Sequence, residues 1–213
     1  MKDIQAIFFD FDGVLADSVE VKTRAFARLF EPYGPDIVSK VVEHHRRNGG
    51  MTRVDKFRHY YQEFLGKPLD EDELKRLCGD FSRLVVDEVV SAPEIPGAEE
   101  FLKKWHKLVP CFIVSATPDE EIIRITVQRG IRDYFREILG SSRSKRENLA
   151  FLLKKYDLVP AKCIFFGDAE SDYKAATACG VNFIGIVPGL DAPLLRVAPQ
   201  IRWAPNFIGL EIE

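Results

Sequence analysis

Ile7-Phe8-Phe9-Asp10-Phe11-Asp12-Gly13-Val14-Leu15 is the stretch whose reading decides the fold: an apolar run that ends in two carboxylates spaced i, i+2, and then a glycine. A short run of β-branched and aromatic residues suits a strand inside a sheet, where successive side chains alternate faces. Asp10 and Asp12 would point to one side if the extended geometry continued past Phe9. Gly13 permits a sharp turn there. Two acids at the exit of a buried strand read as a reaction centre. The rival reading is a solvated surface turn, because Asp-Gly is a common turn signal.

On either side of this stretch the texture of the chain changes. A strand is expected over Ile4–Phe9. Asp17-Ser18-Val19-Glu20 then opens a helix, with acceptor side chains followed by a glutamate. From there to about Val90 the apolar spacing is helical throughout, in four pieces. The first runs through Val21, Ala25, Leu29 and Phe30 to a break at Pro32-Tyr33-Gly34-Pro35, and the second covers Asp36–Arg47. The third starts after Thr52 with a stripe of Val54, Phe57, Tyr60, Tyr61 and Phe64. The fourth runs from Glu71 to Val90.

Beyond the proline-rich link Ser91–Gly97, strands and helices alternate. Helices are expected over Ala98–Leu108, Asp119–Arg129, Arg146–Tyr156 and Ser171–Cys179. Strands are expected over Cys111–Ser115, Glu137–Gly140, Lys162–Phe166 and Asn182–Val187, with a short edge strand near Gln200–Trp203. Such alternation implies right-handed crossovers and a mostly parallel sheet. The fold class expected is α/β: a Rossmann-like, doubly wound parallel sheet core from residues 1–15 and 93–213, with an α-helical cap domain, residues 16–92, inserted between its first two strands.

The 213 residues carry a formal net charge of −3, which argues against nucleic acid or a membrane surface as the main partner. No apolar leader follows Met1-Lys2-Asp3, and no apolar run approaches a membrane span. Cys78, Cys111, Cys163 and Cys179 are scattered without a C-x-x-C pair. Free thiols are expected, in a protein of a reducing cytoplasm. His44, His45 and His59 have no partner pattern and are expected at the surface. The sequence is silent on oligomeric state.

In open α/β sheets, ligands collect beyond the carboxyl ends of the strands. The polar residues at those ends are Asp10 and Asp12, Ser115, and Asp168 with Asp172; Lys145 opens the helix after the third strand. Several carboxylates without a histidine or cysteine cluster suit a hard cation such as Mg²⁺. Thr117 reads as a helix N-cap with Pro118 at the first helical position. Backbone N–H groups around Ala116, with the Ser115 hydroxyl, would then seat a phosphate. Lysine at a helix start is unfavourable for the helix dipole, which suggests that Lys145 is there for an anion.

Taken in order, Asp10-Phe11-Asp12-Gly13-Val14-Leu15, Ser115, Lys145 and Gly167-Asp168-Ala169-Glu170-Ser171-Asp172 resemble the four motifs of the haloacid dehalogenase superfamily. The resemblance covers essentially the whole chain, and the place of the cap is similar to that in the subclass of phosphoglycolate phosphatases and β-phosphoglucomutases. It implies that Asp10 is a nucleophile forming an aspartyl-phosphate and that Asp12 is the acid and base. It implies Mg²⁺ held by Asp10, the Asp12 carbonyl and Asp168, with Asp172 a direct or water-mediated helper. Ser115, Ala116 and Lys145 would bind the transferring phosphoryl group.

The resemblance is imperfect after Lys145, where Arg146 stands in place of the proline of many relatives, and Arg143 could share the task of Lys145. Gly50-Met51-Thr52-Arg53 resembles the cap loop of sugar-phosphate members, which makes Thr52 and Arg53 candidates for substrate binding. The other reading of that loop is a helix start with Thr52 as N-cap and Arg53 exposed. The function expected is a Mg²⁺-dependent phosphatase of a small phosphomonoester, such as a sugar phosphate. The alternatives are a phosphomutase of the β-phosphoglucomutase type and a non-catalytic phospholigand-binding or interaction module.

Overall fold

The protein is described as a computed structural model of residues 3–212. Met1, Lys2 and Glu213, the extremities of the expected core, lie outside the described residues. Strand β1 (Ala6–Phe9) leads into helices α1 (Val19–Phe30), α2 (Pro35–Arg47), α3 (Arg53–His59) and α4 (Glu71–Ser91). The chain then alternates: α5 (Ala98–Trp105), β2 (Cys111–Val114), α6 (Asp119–Gln128), β3 (Glu137–Leu139), α7 (Lys145–Lys155), β4 (Cys163–Gly167), α8 (Glu170–Cys179) and β5 (Asn182–Ile186). Helix α9 (Pro193–Val197) and edge strand β6 (Arg202–Ala204) complete it.

All six strands are parallel, in the order β3-β2-β1-β4-β5-β6. Strand β1 is central, with β2 on one side and β4 on the other, so strand order reverses at its carboxyl end, where a crevice opens. Helices cover both faces, which explains why the inner strands read as continuous apolar runs rather than alternating ones. Phe8, Phe112 and Phe165 face Leu149, Leu152 and Ala176 on one side. Ile7, Phe9 and Phe166 face Phe101 and Phe207 on the other. Phe9 is the centre of that second layer, stacked on Phe166 with ring centroids 5.3 Å apart and meeting Phe101, Phe135 and Phe207 edge-on or tilted.

The helices α1–α4 leave and return through a narrow neck. Asp17 N–H donates to the Pro93 carbonyl at 2.9 Å and Ile95 N–H to that of Leu15 at 3.2 Å. Their core is a cluster of rings from Phe26, Phe30, Phe57, Tyr60 and Phe81.

In its elements and core the structure differs from what the sequence predicts at several points. Helix α3 ends at His59, and Tyr60–Phe64 continue as a wide turn, with Leu65 N–H bonded to the Tyr60 carbonyl at 3.1 Å. Helix α9 was not expected, because five residues hold too little periodicity to be read. The edge strand lies two residues later, at Arg202–Ala204. His45 is buried against Phe26, their ring centroids 4.9 Å apart, rather than at the surface. All four cysteines are free, and no helix among the described residues is long and apolar enough to cross a membrane.

The Phe9 layer ties the sheet to α5 and the C-terminal tail. Phe9→Ala is expected to lower the unfolding free energy by about 3–5 kcal/mol in a urea titration, as fully buried aromatic truncations do.

Candidate active site

Asp10 follows β1 directly. Its N–H donates to the Phe166 carbonyl at 2.9 Å, which fixes it between β1 and β4. Its carboxylate is buried: Oδ1 accepts from the Phe11 N–H at 2.7 Å and Oδ2 from Lys145 Nζ at 2.6 Å. Lys145 opens α7, whose start is fixed by a reciprocal box between Ser144 and Glu147. The same ammonium reaches Asp172 Oδ1 at 2.5 Å. Arg143, the rival for this task, is exposed, with its guanidinium over the Phe151 ring at 5.0 Å.

Asp172 is fully buried, and its second oxygen accepts from the Ala169 N–H at 3.1 Å. Asp168, four residues earlier, makes neither ion pair nor hydrogen bond among the described residues. One oxygen each from Asp10, Asp168 and Asp172 lies within 4.8 Å of the others. The loops that carry them touch through a glycine. Gly13 has φ +76°, and a Cβ there would lie 2.4 Å from Asp168 Oδ2. Gly167 is constrained likewise, since its Cβ would fall 2.3 Å from that of Asp172.

Asp12 is not aligned with Asp10 by strand alternation, because β1 ends at Phe9 and the chain bends so that Leu15 N–H bonds the Phe11 carbonyl at 2.8 Å. Its carboxylate has partners of its own. Ser18 Oγ donates to Oδ1 at 2.6 Å, while Thr117 Oγ1, at 3.2 Å, and the Lys22 ammonium donate to Oδ2. Thr117 is therefore not an N-cap: α6 begins at Asp119 behind Pro118, and the Thr117 hydroxyl is turned to Asp12. Ser115 is buried, and its Oγ accepts from the Thr117 N–H at 3.1 Å, which leaves the hydroxyl proton free to donate.

The electrostatics divide the acids. Burial, only partly offset by Lys145 and reinforced by Asp172 and Asp12, pushes the Asp10 carboxyl up to about 7. Burial and then the neighbouring Asp10 and Asp172 raise that of Asp168 well above the usual carboxylate range. Lys145 loses through burial but gains more from Asp10 and Asp172, so it is held firmly as the ammonium. Burial also works against Asp12, but Lys22 with the Ser18 and Thr117 hydrogen bonds outweighs it and keeps Asp12 ionised. The acids around Asp168 carry more negative charge than Lys145 balances. A donor set of carboxylate oxygens alone, short of one cation, fits a hard divalent ion such as Mg²⁺.

Over this cluster lies a pocket of about 50 Å³. Its floor is Asp10, Asp12, Ala116, Thr117 and Asp168, and its roof is supplied by α1–α4. The roof departs from expectation. Arg53 lines the pocket but is buried rather than exposed. Its Nη1 and Nη2 form a bidentate pair with Glu121 of α6 at 2.8 and 2.5 Å, and Nη1 also donates to Ser82 Oγ at 2.7 Å. Thr52 caps α3, accepting from the Asp55 N–H at 3.2 Å and donating to the Asp55 carboxylate at 2.6 Å, and it does not line the pocket. Lys22, His45 and Lys56 do line it; the sequence motifs point to neither lysine, and His45 is expected at the surface. A signal was present: Lys22 falls between Val19 and Phe26, and Lys56 between Arg53 and Tyr60, at helical spacing on faces otherwise turned inward.

Comparison with known proteins places this geometry in context. A family model described as haloacid dehalogenase-like hydrolase matches residues 4–180. The chain is 28% identical to a phosphoglycolate phosphatase of Vibrio vulnificus, covering 97% of this chain and 92% of that one. It is 25% identical to a phosphorylated carbohydrates phosphatase of Thermotoga maritima, covering 88% of each. In fold it is similar to the β-phosphoglucomutase of Clostridium difficile, with a TM-score of 0.79 at 22% identity over 98% of this chain and 94% of that one. With the family model spanning most of the chain, the protein belongs to the haloacid dehalogenase-like hydrolases.

Proposed function

We propose that this protein is a Mg²⁺-dependent phosphomonoester hydrolase that acts on a small phosphorylated metabolite through an aspartyl-phosphate on Asp10. The observation that carries this reading is the juxtaposition of Asp10, Asp168 and Asp172 around one ammonium, with Asp12 separately held beside them under the same roof. The names of the phosphatase relatives support the reaction class.

In this reading an Asp10 carboxylate oxygen attacks phosphorus while the ester P–O bond breaks, and Asp12 delivers a proton to the departing alcohol oxygen. Asp12 then takes a proton from the water that attacks the acyl phosphate. Inorganic phosphate leaves and the Asp10 carboxylate is regenerated. Lys145, the Ser115 hydroxyl and the backbone at Ala116 hold the phosphoryl oxygens. Asp10 and Asp168 would hold Mg²⁺ together with the Asp12 carbonyl. Asp172, with one oxygen on Lys145 and the other on Ala169 N–H, would help indirectly. Mg²⁺, when bound, neutralises charge on the phosphoryl group and among the acids. Asp12 is ionised in the present arrangement, paired with Lys22, so its turn as an acid requires that this pair loosen when substrate enters.

Two outcomes follow. Purified protein releases phosphate from p-nitrophenyl phosphate with Mg²⁺, and Asp10→Asn lowers that turnover by at least about 10³-fold. Unchanged turnover removes Asp10 as nucleophile, and bisphosphate-dependent conversion of β-glucose 1-phosphate to the 6-phosphate makes the enzyme a mutase instead. Mg²⁺ also stabilises the fold by relieving the crowded acids. At a hundred times its dissociation constant the gain is about 2.7 kcal/mol, or roughly 5–11 °C in Tm for a chain of this size. Asp168→Asn abolishes that rise in a thermal scan, whether or not the variant turns over.

A further inference from the structure

Three cationic side chains line the pocket, and two of them are already satisfied. Lys22 is paired with Asp12 and Arg53 with Glu121. Lys56 has no carboxylate partner among the described residues. It is only 2% exposed, and its Nζ donates to His45 Nδ1 at 2.8 Å, with the Gly49 carbonyl at 3.5 Å and the Phe26 ring centroid 5.5 Å away. His45 and Gly49 both belong to the pocket wall, so the ammonium end of Lys56 sits at the wall and not behind it.

His45 is arranged to serve this lysine. Its Nε2 has no hydrogen bond of good geometry but faces the Val19 carbonyl, which favours the proton on Nε2 and leaves Nδ1 as an acceptor. Burial and the neighbouring Lys56 push the imidazole down to about 3, so it stays neutral and brings no counter-charge. Burying an ammonium against a neutral ring, a carbonyl and a phenyl face is costly, and burial pulls the Lys56 amine down to about 7, so an arriving anion is what would hold it as the ammonium. A sugar hydroxyl would leave the charge uncompensated. The phosphoryl end of the pocket has its own cations, so the anion that Lys56 awaits belongs to another part of the substrate.

We propose that Lys56 is the specificity-determining residue of this pocket and binds a second anionic group, carboxylate or phosphate, carried by the alcohol that leaves. The inference rests on the phosphatase reading above and narrows its substrate class. Lys56 lines the same pocket whose floor is Asp10 and Asp168, so the second anion and the scissile ester belong to one small molecule. His45 is a positioning residue for Lys56. Arg53, tied to Glu121, holds α3 against α6 and is not the substrate's anchor.

The test compares three small phosphate esters with the whole chain and Mg²⁺. 2-Phosphoglycolate carries the carboxylate, 2-hydroxyethyl phosphate replaces it by a neutral hydroxymethyl group of similar size, and the longer propane-1,3-diol bisphosphate carries a second phosphate. Wild-type protein is expected to favour one of the two anionic esters over 2-hydroxyethyl phosphate by roughly 10- to 100-fold in kcat/KM, the scale of a charge-assisted hydrogen bond. Which of them leads distinguishes carboxylate from phosphate. Lys56→Met is expected to collapse that preference mainly through KM, and Lys56→Arg to restore part of it. Lys56→Gln serves in place of Lys56→Met should the latter not give a cooperative thermal transition. Hydrolysis without preference for either anionic ester, or equal losses on all three esters in the variant, overturns the role of Lys56 while leaving the phosphatase reading intact. Failure to hydrolyse any ester, p-nitrophenyl phosphate included, overturns both.

Discussion

The constraint on which the structure depends is charge crowding at one strand end. Asp10, Asp168 and Asp172 are brought together beyond the carboxyl ends of β1 and β4, and among the described residues Lys145 is the cation paired within the cluster. Such a cluster does not help the protein fold, since each acid must be desolvated beside the others. It persists because β1 and β4 are locked by apolar pairing from Ala6–Cys163 to Phe9–Phe166, because Gly13 lets the loop after β1 approach Asp168 without a Cβ between them, and because Gly167 leaves room for the Asp172 side chain within its own loop. The stability of the Phe-rich layers sustains an arrangement that is unfavourable taken alone, which is what the proposed cation and phosphoryl group would require of their site.

The fold was legible because its signals are local and agree with one another. Apolar runs of four or five residues closed by Asp, Ser or Gly mark parallel strands, and the long absence of such runs between Leu15 and Ser91 marks the helical insert. The acidic strand ends were equally legible, since their positions follow from strand order once the sheet is known. What could not be read were contacts that depend on how α1–α4 sit over the sheet. Thr117 looked like a cap from its neighbours in sequence, but its hydroxyl answers to Asp12, more than a hundred positions away. Arg53 reads either as a substrate binder or as an exposed helix start, because nothing near it in sequence is its partner; Glu121 lies in the other half of the chain. His45 has no partner pattern in sequence and reads as a surface residue; only the tertiary packing of α2 against Phe26 buries it.

The arrangement also separates tasks by pairing. Asp10 and Asp12 are two residues apart, yet one is held by Lys145 and the other by Lys22, and the two pairs are built from different elements. Lys145 comes from α7 at the rim of the sheet, so the environment of Asp10 belongs to the rigid part of the molecule. Lys22 comes from α1, so the environment of Asp12 depends on the helical insert. A nucleophile benefits from a fixed orientation. A group proposed to give and then take a proton benefits from a neighbour whose position responds to what lies in the pocket.

The same logic applies to the roof. Lys22 and Arg53 each spend their charge across the gap, on Asp12 and Glu121, and these two ion pairs hold α1 and α3 down over the sheet without any ligand. Lys56 contributes nothing of that kind, since its neighbours are a neutral imidazole, a carbonyl and an aromatic face. Were closure the only purpose of the cations above the pocket, a methionine at position 56 would pack as well against Phe26 without the desolvation cost. A buried lysine with no carboxylate partner among the described residues is explained, on this proposal, by a partner that is not part of the chain, and the depth at which it is buried means that the partner must come in through the pocket that Asp10 faces.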